Sequence, residues 1–269
     1  MRGAEVAIDG KAASGVLAAA VREAGALALQ KFRSQFKSWT KGQNSPVCEV
    51  DIAVDELLRE RLAKPTPEYG WLSEESADDP SRLEAAAVWI VDPIDGTRAF
   101  ISGREDWVIS AALAQGGRPI AAAIYVPVED ALLLAVAGKG ATLNGAPIRP
   151  RDGPEFEGAR VAGPKRQIDI LQARHRVEAV PKVHSLALRL ARVATGTLDI
   201  AFAGGNSHDW DLAAADLIVH EAGGVLTTLD GCRLTYNRPD PVHTPLVAAG
   251  RVRHADLMRL LREQQTTSA

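Results

Sequence analysis

The feature that most constrains this chain is a buried strand that ends in two closely spaced aspartates. Residues 89–100 read WIVDPIDGTRAF and complete a continuous apolar run that begins at residue 86. Such a run predicts a strand in the interior of the protein, and Asp92 stands at its end. Pro93 then predicts a turn, and Asp95 follows three residues after the first aspartate.

Two carboxylates on a loop that leaves a strand can converge on a hard cation such as Mg²⁺, which prefers oxygen ligands. Gly96 lets the backbone approach a ligand closely. If a short helix begins at Asp95, the amides of Gly96 and Thr97 face an anion such as phosphate. An ordinary turn with a capping aspartate is the alternative. The two acids directly after a buried strand favour the binding site.

The composition is that of an average globular protein of one large domain or two tightly packed halves. The chain has 269 residues, 46% of them apolar, and a formal net charge of −3. Two cysteines are too few for a disulfide framework, so free thiols and a cytoplasmic location are expected. The N-terminus does not resemble a signal peptide, and no uninterrupted apolar run reaches about 18 residues, so no membrane span is expected.

Basic residues are scattered, which argues against a nucleic-acid partner. Four arginines gather near the end of the chain, and on a C-terminal helix they indicate a solvated face. A chain of slightly negative charge that handles phosphate therefore needs a local source of positive charge. A basic pocket or a bound metal must supply it.

Apolar periodicity predicts an α/β protein with layered helices and sheets. Pro147 to Pro154 marks the predicted boundary between an N-terminal half, residues 1–148, and a C-terminal half, residues 149–269. The polar tail at residues 264–269 is expected to lack structure. The predicted helices cover residues 12–34, 51–64, 186–194 and 212–222, with a loop or short hairpin at 36–47. The predicted strands cover residues 70–73, 86–91, 108–114, 120–126, 131–136, 160–162, 198–202 and 225–229.

Other acids have both structural and functional interpretations. Glu74 and Glu75 follow a short strand, where adjacent acids are usually solvated. Asp51 stands where a helix begins and is first of all a candidate cap. Asp209 is a candidate cap of a later helix, and Asp211 in its first turn is a candidate ligand that the helix dipole would favour in its charged form.

Taken together, these segments resemble the signature of the inositol monophosphatase superfamily, a group of magnesium-dependent and lithium-sensitive phosphatases. The similarity extends over about residues 21–224, with the motifs in the family's order. PVCEVD at residues 46–51 is similar to the family's PVTEAD, with Cys48 in place of threonine. The other motifs are the acid pair Glu74-Glu75, the DPIDGT of residues 92–97 and the WDLA of residues 210–213.

The resemblance implies a layered α-β-α-β-α fold and a site with two or three Mg²⁺ ions between the two halves. Glu74, Asp92 and the carbonyl of Ile94 would hold the first ion. Asp92, Asp95 and Asp211 would hold the second, so that Asp92 bridges the two. Homodimers are common in the superfamily, and a homodimer is a possible state here.

The resemblance also implies which residues act on the substrate. Glu74 and Thr97 would orient or deprotonate the attacking water, and Asp51 would help to place a third ion through water. The amides of Gly96 and Thr97 would cradle the phosphate. Asp95 and Asp211 would lie against the substrate as well as the metal.

The segment at residues 185–211 most resembles the bacterial 3′(2′),5′-bisphosphate nucleotidase branch. This predicts 3′-phosphoadenosine 5′-phosphate as the substrate, cut to AMP and phosphate. Ala187 and Gly204-Gly205 stand where many nucleotidases have a lysine and an arginine, so inositol 1-phosphate is the alternative. Arg189 or Lys165 is a candidate to replace the missing charge.

Two other classes of function are weaker. A phosphatase of the haloacid dehalogenase class needs two aspartates separated by one residue, and here two residues separate them. A non-catalytic protein that binds metal or phosphate would be expected to have lost a ligand, and every carboxylate that the resemblance requires is present.

Overall fold

The computed structural model describes residues 8–41 and 45–267. The α-helices of this part of the chain are α1 Gly10–Lys31, α2 Glu49–Leu62, α3 Thr97–Ile101, α4 Lys165–Gln172, α5 Leu186–Ala194, α6 Asp209–Glu221 and α7 Arg251–Thr267. The strands are β1 Ser38–Lys41, β2 Ser45–Cys48, β3 Gly70–Ser73, β4 Val88–Asp95, β5 Val108–Gln115, β6 Arg118–Val126, β7 Ala131–Val136, β8 Gly140–Leu143, β9 Ala146–Pro147, β10 Arg160–Ala162, β11 Glu178–Ala179, β12 Ile200–Ala203, β13 Ser207–His208, β14 Gly224–Thr228, β15 Val242–His243 and β16 Leu246–Gly250. Short 3-10 helices lie at Pro80–Leu83 and Pro127–Glu129.

The larger sheet has seven strands in the order β3-β4-β5-β6-β7-β8-β9. From β4 onward each strand pairs antiparallel with the next, whereas β3 lies parallel to β4. The spacing of the predicted strands at residues 86–136 is typical of an antiparallel meander. Strands β4 to β7 form that meander, and it continues for two more short strands, β8 and β9. The hairpin predicted at residues 36–47 is formed by β1 and β2, although its residues 42–44 lie outside the described part of the chain.

The smaller sheet has five strands in the order β11-β10-β12-β16-β14. Strand β16 runs antiparallel to both of its neighbours, β12 and β14. The sequence does not predict this strand, because its segment, LVAAG, is too short to show a period. Strands β13 and β15 form a separate two-stranded pair.

Helices and sheets stack in the five layers α-β-α-β-α, as predicted. Helices α1 and α2 cover one face of the larger sheet. Helices α5 and α6 lie between the two sheets, and α4 and α7 cover the outer face of the smaller sheet. Because both faces of each sheet are covered, strands such as β4 are apolar without alternation. Ile90 of β4 belongs to the central layer, whereas Trp89 and Val91 face α1 and α2.

The end of β4 is irregular in a way that matters for function. Asp92 pairs with Ser110 and Asp95 with Val108, so three residues of β4 are matched by two of β5. In a regular strand, residues three apart point to opposite faces of the sheet. The extra residue is a β-bulge, which redirects a side chain, and it allows Asp92 and Asp95 to converge.

Several boundaries differ from those that the sequence predicts. Strand β4 continues through Asp95, because the bulge keeps the chain paired where Pro93 predicted a turn. Helix α7 runs to Thr267, so the prediction of an unstructured tail from residue 264 is wrong for those residues. The same helix does not present all its arginines to solvent, since Arg253 is 7% exposed and donates to the carbonyls of Arg151 and Glu155.

Helix α1 is long and apolar enough, by length and composition alone, to cross a membrane. A core helix can pass the same test. Here its residues Leu17, Val21 and Ala24 are fully buried against the larger sheet.

Helix α1 lies so close to the larger sheet at Gly25 that a larger residue there should lower the stability of the protein. A Cβ at Gly25 would lie 2.5 Å from Cδ1 of Tyr125 and 2.9 Å from Cγ of Pro127. We expect Gly25→Ala to lower the free energy of unfolding by about 1–3 kcal/mol, since overpacking displaces the neighbouring groups. Gly15 lies in the same helix with no atom within 4 Å of an added Cβ, so Gly15→Ala should be neutral or raise stability by up to about 1 kcal/mol. Urea unfolding of both variants measures the contrast, and equal effects would contradict it.

Candidate metal centre

Three aspartates from distant parts of the chain meet at the end of β4. Asp92 and Asp95 come from the bulged end of that strand, and Asp211 comes from the first turn of α6. One carboxylate oxygen from each lies within 4.8 Å of the other two. The structure therefore brings together three of the residues that the sequence assigns to metal.

Asp92 has no internal partner for its charge. Its side chain is 1% exposed, and neither carboxylate oxygen has a hydrogen-bond partner within the described residues. Burial, and then the neighbouring carboxylates of Glu74 and Asp95, raise the pKa of Asp92 well above its usual value. An uncompensated buried charge is costly, so this position needs either a proton or a cation.

Asp95 is held by the N-terminus of α5. Its Oδ2 accepts hydrogen bonds from Ser185 Oγ and the Ala187 amide, both at 2.6 Å, and its Oδ1 accepts from the Leu186 amide at 3.2 Å. Ser185 is also the N-cap of α5. The positive end of a helix is a natural site for a carboxylate, and these contacts fix Asp95 against the central layer.

Asp211 is fixed by the N-terminus of its own helix. The N-cap of α6 is His208, and Asp211 Oδ2 accepts a hydrogen bond from the His208 amide at 2.6 Å. The prediction that Asp209 caps this helix is wrong, because Asp209 is the first helical residue. Burial, and then the charge of Asp95, raise the pKa of Asp211 well above its usual value.

Asp209 instead fixes the start of α6 through hydrogen bonds to residues that follow β14. It is fully buried, and its carboxylate accepts from His243 Nε2 and from the Asn237 amide, both at 2.7 Å. Asn237 in turn accepts a 2.6 Å hydrogen bond from Arg82 Nη1 and donates to the Arg82 carbonyl. This network ties the turn that carries Asp211 to the N-terminal half, and nothing in the local sequence pattern predicts it.

Asp51 and Thr97 are joined by a hydrogen bond near the three aspartates. Thr97 Oγ1 lies 3.0 Å from Asp51 Oδ1 and 3.0 Å from the carbonyl of Ile94. Asp51 Oδ2 accepts from the amide and the thiol of Cys48, both at 2.8 Å. Cys48, not Asp51, is the N-cap of α2, and Asp51 returns to it from the third helical position.

The Cys48 thiol is a structural donor here. Burial, and then the charge of Asp51, raise its pKa to about 12. The thiol therefore stays protonated and donates to Asp51, which is the contact a threonine hydroxyl would make in its place.

Glu74 and Glu75 have different surroundings, although they are adjacent. Glu75 forms a 2.7 Å ion pair with Lys41 Nζ, and its side chain is 2% exposed. Glu74 lines the same cavity as Asp95 and Asp211. Burial raises the pKa of Glu74 to about 7, with Lys41 opposing that rise and Glu75 and Asp95 adding to it.

The cavity at this site has a volume of about 190 Å³. Its lining includes three acids, Glu74, Asp95 and Asp211. Gly96 and Thr97, at the start of α3, also line it. Gly96 has φ +98°, and a Cβ there would lie 3.0 Å from the Asp106 carbonyl. Only glycine fits this position without strain. The cavity is lined by Pro46, Glu74, Asp95, Gly96, Thr97, Arg98, Lys182, His184 and Asp211.

These groups fit a hard divalent cation. The donors are carboxylate oxygens, which Mg²⁺ prefers, and the unpartnered oxygens of Asp92 are available to it. Glu74 stands outside the trio that lies within 4.8 Å but faces the same cavity. The Ile94 carbonyl already accepts from Thr97, and a carbonyl has a second lone pair for a ligand.

The residues from which the sequence predicts the substrate lie around α5 and the start of α6. Ala187 is fully buried and uses its amide on Asp95. The ring of His208 stacks on Trp210 at a centroid distance of 4.5 Å. Glu221, at the far end of α6, accepts from the amides of Gly138 and Gly140 and is structural, as its position indicates.

Comparison with known proteins agrees with this geometry. The profile of the inositol monophosphatase family matches residues 12–266. Inositol monophosphatase 1 of Solanum lycopersicum is 33% identical over 225 residues, which cover 79% of this chain and 82% of that protein. Inositol-1-monophosphatase of Bacillus subtilis (strain 168) is 31% identical over 226 residues, 80% of this chain and 85% of that protein.

Solved structures show the same fold. The crystal structure of extragenic suppressor protein suhB from Bartonella henselae superimposes with a TM-score of 0.82 at 26% identity. The match covers 94% of this chain and 99% of that chain. The stacked layers of helices and sheets thus belong to a known architecture.

Two buried aspartates differ in their hydrogen bonding, since Asp92 has no partner within the described residues whereas Asp209 accepts from Asn237 and His243. Substitution of each one tests this electrostatic description. With excess chelator present, we expect Asp92→Asn to raise the free energy of unfolding by about 1–2 kcal/mol, because it removes a charge that has no partner. Asp209→Asn is the matched control, and it should lower the free energy of unfolding by about 2–3 kcal/mol, because it weakens hydrogen bonds to a charged group. Thermal or urea unfolding of the metal-free proteins measures both. Destabilisation by Asp92→Asn of the same size as by Asp209→Asn would contradict the description.

Proposed function

The chain belongs to the inositol monophosphatase family, a family of phosphatases, and from that premise we propose that it hydrolyses the phosphate ester of a small polyol, with inositol 1-phosphate as the first candidate. The observation that carries the proposal is the unpartnered Asp92 beside Asp95 and Asp211. The names of the relatives from Solanum lycopersicum and Bacillus subtilis supply the substrate class.

Bound Mg²⁺ would supply a water of lowered pKa and would neutralise charge on the phosphate and the leaving oxygen. Asp92, Asp95 and Asp211 would hold it, with Glu74 and the Ile94 carbonyl completing the ligand set. Two or three ions are proposed, because Asp92 has two free oxygens and Glu74 stands apart from the trio.

The protein's own groups orient the reactants. Thr97 Oγ1 donates its proton to Asp51 or the Ile94 carbonyl, so its lone pairs are placed to accept a hydrogen bond from a water in the cavity. Glu74 lines the same cavity, and its carboxylate would accept a hydrogen bond or the proton from that water. The amides of Gly96 and Thr97 at the start of α3 provide donors for phosphate oxygens.

The bisphosphate nucleotide remains a second candidate substrate, on account of the segment NSHDWDLAAADL, residues 206–217. The cations that were expected to replace its missing contacts are engaged elsewhere. Arg189 donates to the carbonyls of Phe202 and Val183, and Lys165 pairs with Asp169 at 2.7 Å. Without them the second phosphate lacks a charged partner at Ala187 and Gly204-Gly205, and this favours the polyol phosphate.

The metal requirement can be tested directly. Excess chelator should abolish phosphate release, and Mg²⁺ should restore it, while high Ca²⁺ should inhibit because its looser coordination misplaces the water. Lithium inhibition is expected from family membership. Asp92→Asn should reduce kcat by more than about 10²-fold, while Mg²⁺ should no longer raise the melting temperature of the variant. Full activity of the wild-type protein in chelator would refute the mechanism.

The substrate is tested by kcat/KM for inositol 1-phosphate and 3′-phosphoadenosine 5′-phosphate in one buffer with saturating Mg²⁺. We expect inositol 1-phosphate to be favoured by about tenfold or more, since one missing charged hydrogen bond costs about 1.5–3 kcal/mol. A preference for the nucleotide would assign the chain to the nucleotidase branch. The metal chemistry would be unaffected by that result.

A further inference from the structure

A histidine in the wall of the catalytic cavity is held by a carboxylate that no part of the proposed chemistry uses. His184 lines the cavity together with Asp95, Gly96 and Thr97. Its Nδ1 lies 2.7 Å from Asp106 Oδ2, and the same oxygen accepts from the His184 amide at 2.7 Å. The backbone and the ring of His184 are thus both fixed by one side chain.

The Asp106 carboxylate determines which ring nitrogen of His184 carries a proton. Burial opposes ionisation of Asp106, but the hydrogen bonds from the His184 amide and ring outweigh it and hold the pKa of Asp106 below its usual value. An ionised carboxylate can only accept, so Nδ1 must be the donor. A ring that carries its single proton on Nδ1 presents Nε2 as an acceptor.

Nε2 is available to a ligand. It has no hydrogen-bond partner among residues 8–41 and 45–267, and the His184 side chain is 21% exposed. The neighbouring wall residue Lys182 is exposed and is not held by any ion pair in that part of the chain, so it is not oriented in the same way. Of these two side chains, His184 is the one held in a fixed orientation.

We propose that Nε2 of His184 accepts a hydrogen bond from a substrate hydroxyl that lies next to the ester being cut, and that Asp106 is the positioning residue for this contact. His184 lines the same cavity of about 190 Å³ as Asp95, Gly96 and Thr97, so a substrate whose phosphate lies at Gly96 and Thr97 can present a neighbouring group to it. The preferred substrates are therefore phosphate esters with a vicinal hydroxyl. This inference rests on the proposed phosphatase activity, and it adds a specificity-determining residue to it.

The experiment compares substrates that differ only in hydroxyl groups. Inositol 1-phosphate is paired with cyclohexyl phosphate, and 3′-phosphoadenosine 5′-phosphate is paired with its 2′-deoxy analogue. For His184→Ala we expect kcat/KM to fall by about 3- to 30-fold on the hydroxylated member of each pair that is turned over. The other member should change less than about twofold. His184→Gln, which keeps an acceptor, should recover part of the loss.

Asp106→Ala should reproduce the loss on the hydroxylated substrates, because the ring is no longer held with Nε2 as its acceptor. His175→Ala is the matched control. His175 also lies beside a carboxylate, with Nδ1 3.7 Å from Glu157 Oε1, but outside the cavity, so both members of each pair should be unaffected.

The outcomes separate the two proposals. Equal losses on both members of a pair, or no loss on either, would overturn the role of His184 while leaving the phosphatase activity intact. Failure of the wild-type protein to release phosphate from any of the four compounds would instead refute the proposed function, and the role of His184 with it. Activity on the nucleotide pair alone would refute the polyol assignment and still test His184 through the 2′-hydroxyl.

Discussion

The repulsion among carboxylates that share one buried site is the constraint on which the rest of the structure depends. Asp92, Asp95 and Asp211 lie close enough to share a cation, and Asp92 has no partner of its own. Without a cation or compensating contacts, the repulsion among these three carboxylates would favour opening of the core. Opposing elements hold it closed: a bulged strand that is hydrogen-bonded on both sides, and helix N-termini that offer amides to Asp95 and Asp211.

The supporting contacts form a second layer around these acids, and each reaches into a different part of the fold. Ser185 holds Asp95, Thr97 connects Asp51 to the strand end, and Asp209 fixes the base of α6 through His243. A functional constellation has to be fixed to within about half an ångström. The layers of apolar side chains above and below supply the rigidity that makes these hydrogen bonds persist.

The sequence predicts the parts of this site that lie close together in the chain. The DPIDGT segment indicates a strand end with paired acids, and the WDLA segment indicates a ligand at a helix start; both conclusions come from local patterns. The bulge in β4 could not be predicted, because it depends on the register of β5. Likewise His243, Asn237 and His184 carry no local signal, since their roles come from contacts across 28 to 155 positions of the chain. Strand β16 cannot be predicted from its own residues for a related reason, because its pairing with β12 and β14, rather than an apolar period, defines it.

The position of β16 has a consequence for how the protein is made. This strand lies inside the smaller sheet, between β12 and the edge strand β14, yet it is the last strand in the described chain. During synthesis, β12 and β14 therefore emerge with a gap between them that only later residues fill, and the segment that carries His243 emerges just before β16. Contacts this far apart in sequence form slowly, and unpaired strand edges invite association with other chains. The nascent protein thus passes through a stage in which the larger sheet is available while the smaller sheet is still open, and the hydrogen bonds from Asn237 and His243 to Asp209 form only after β14 has been made.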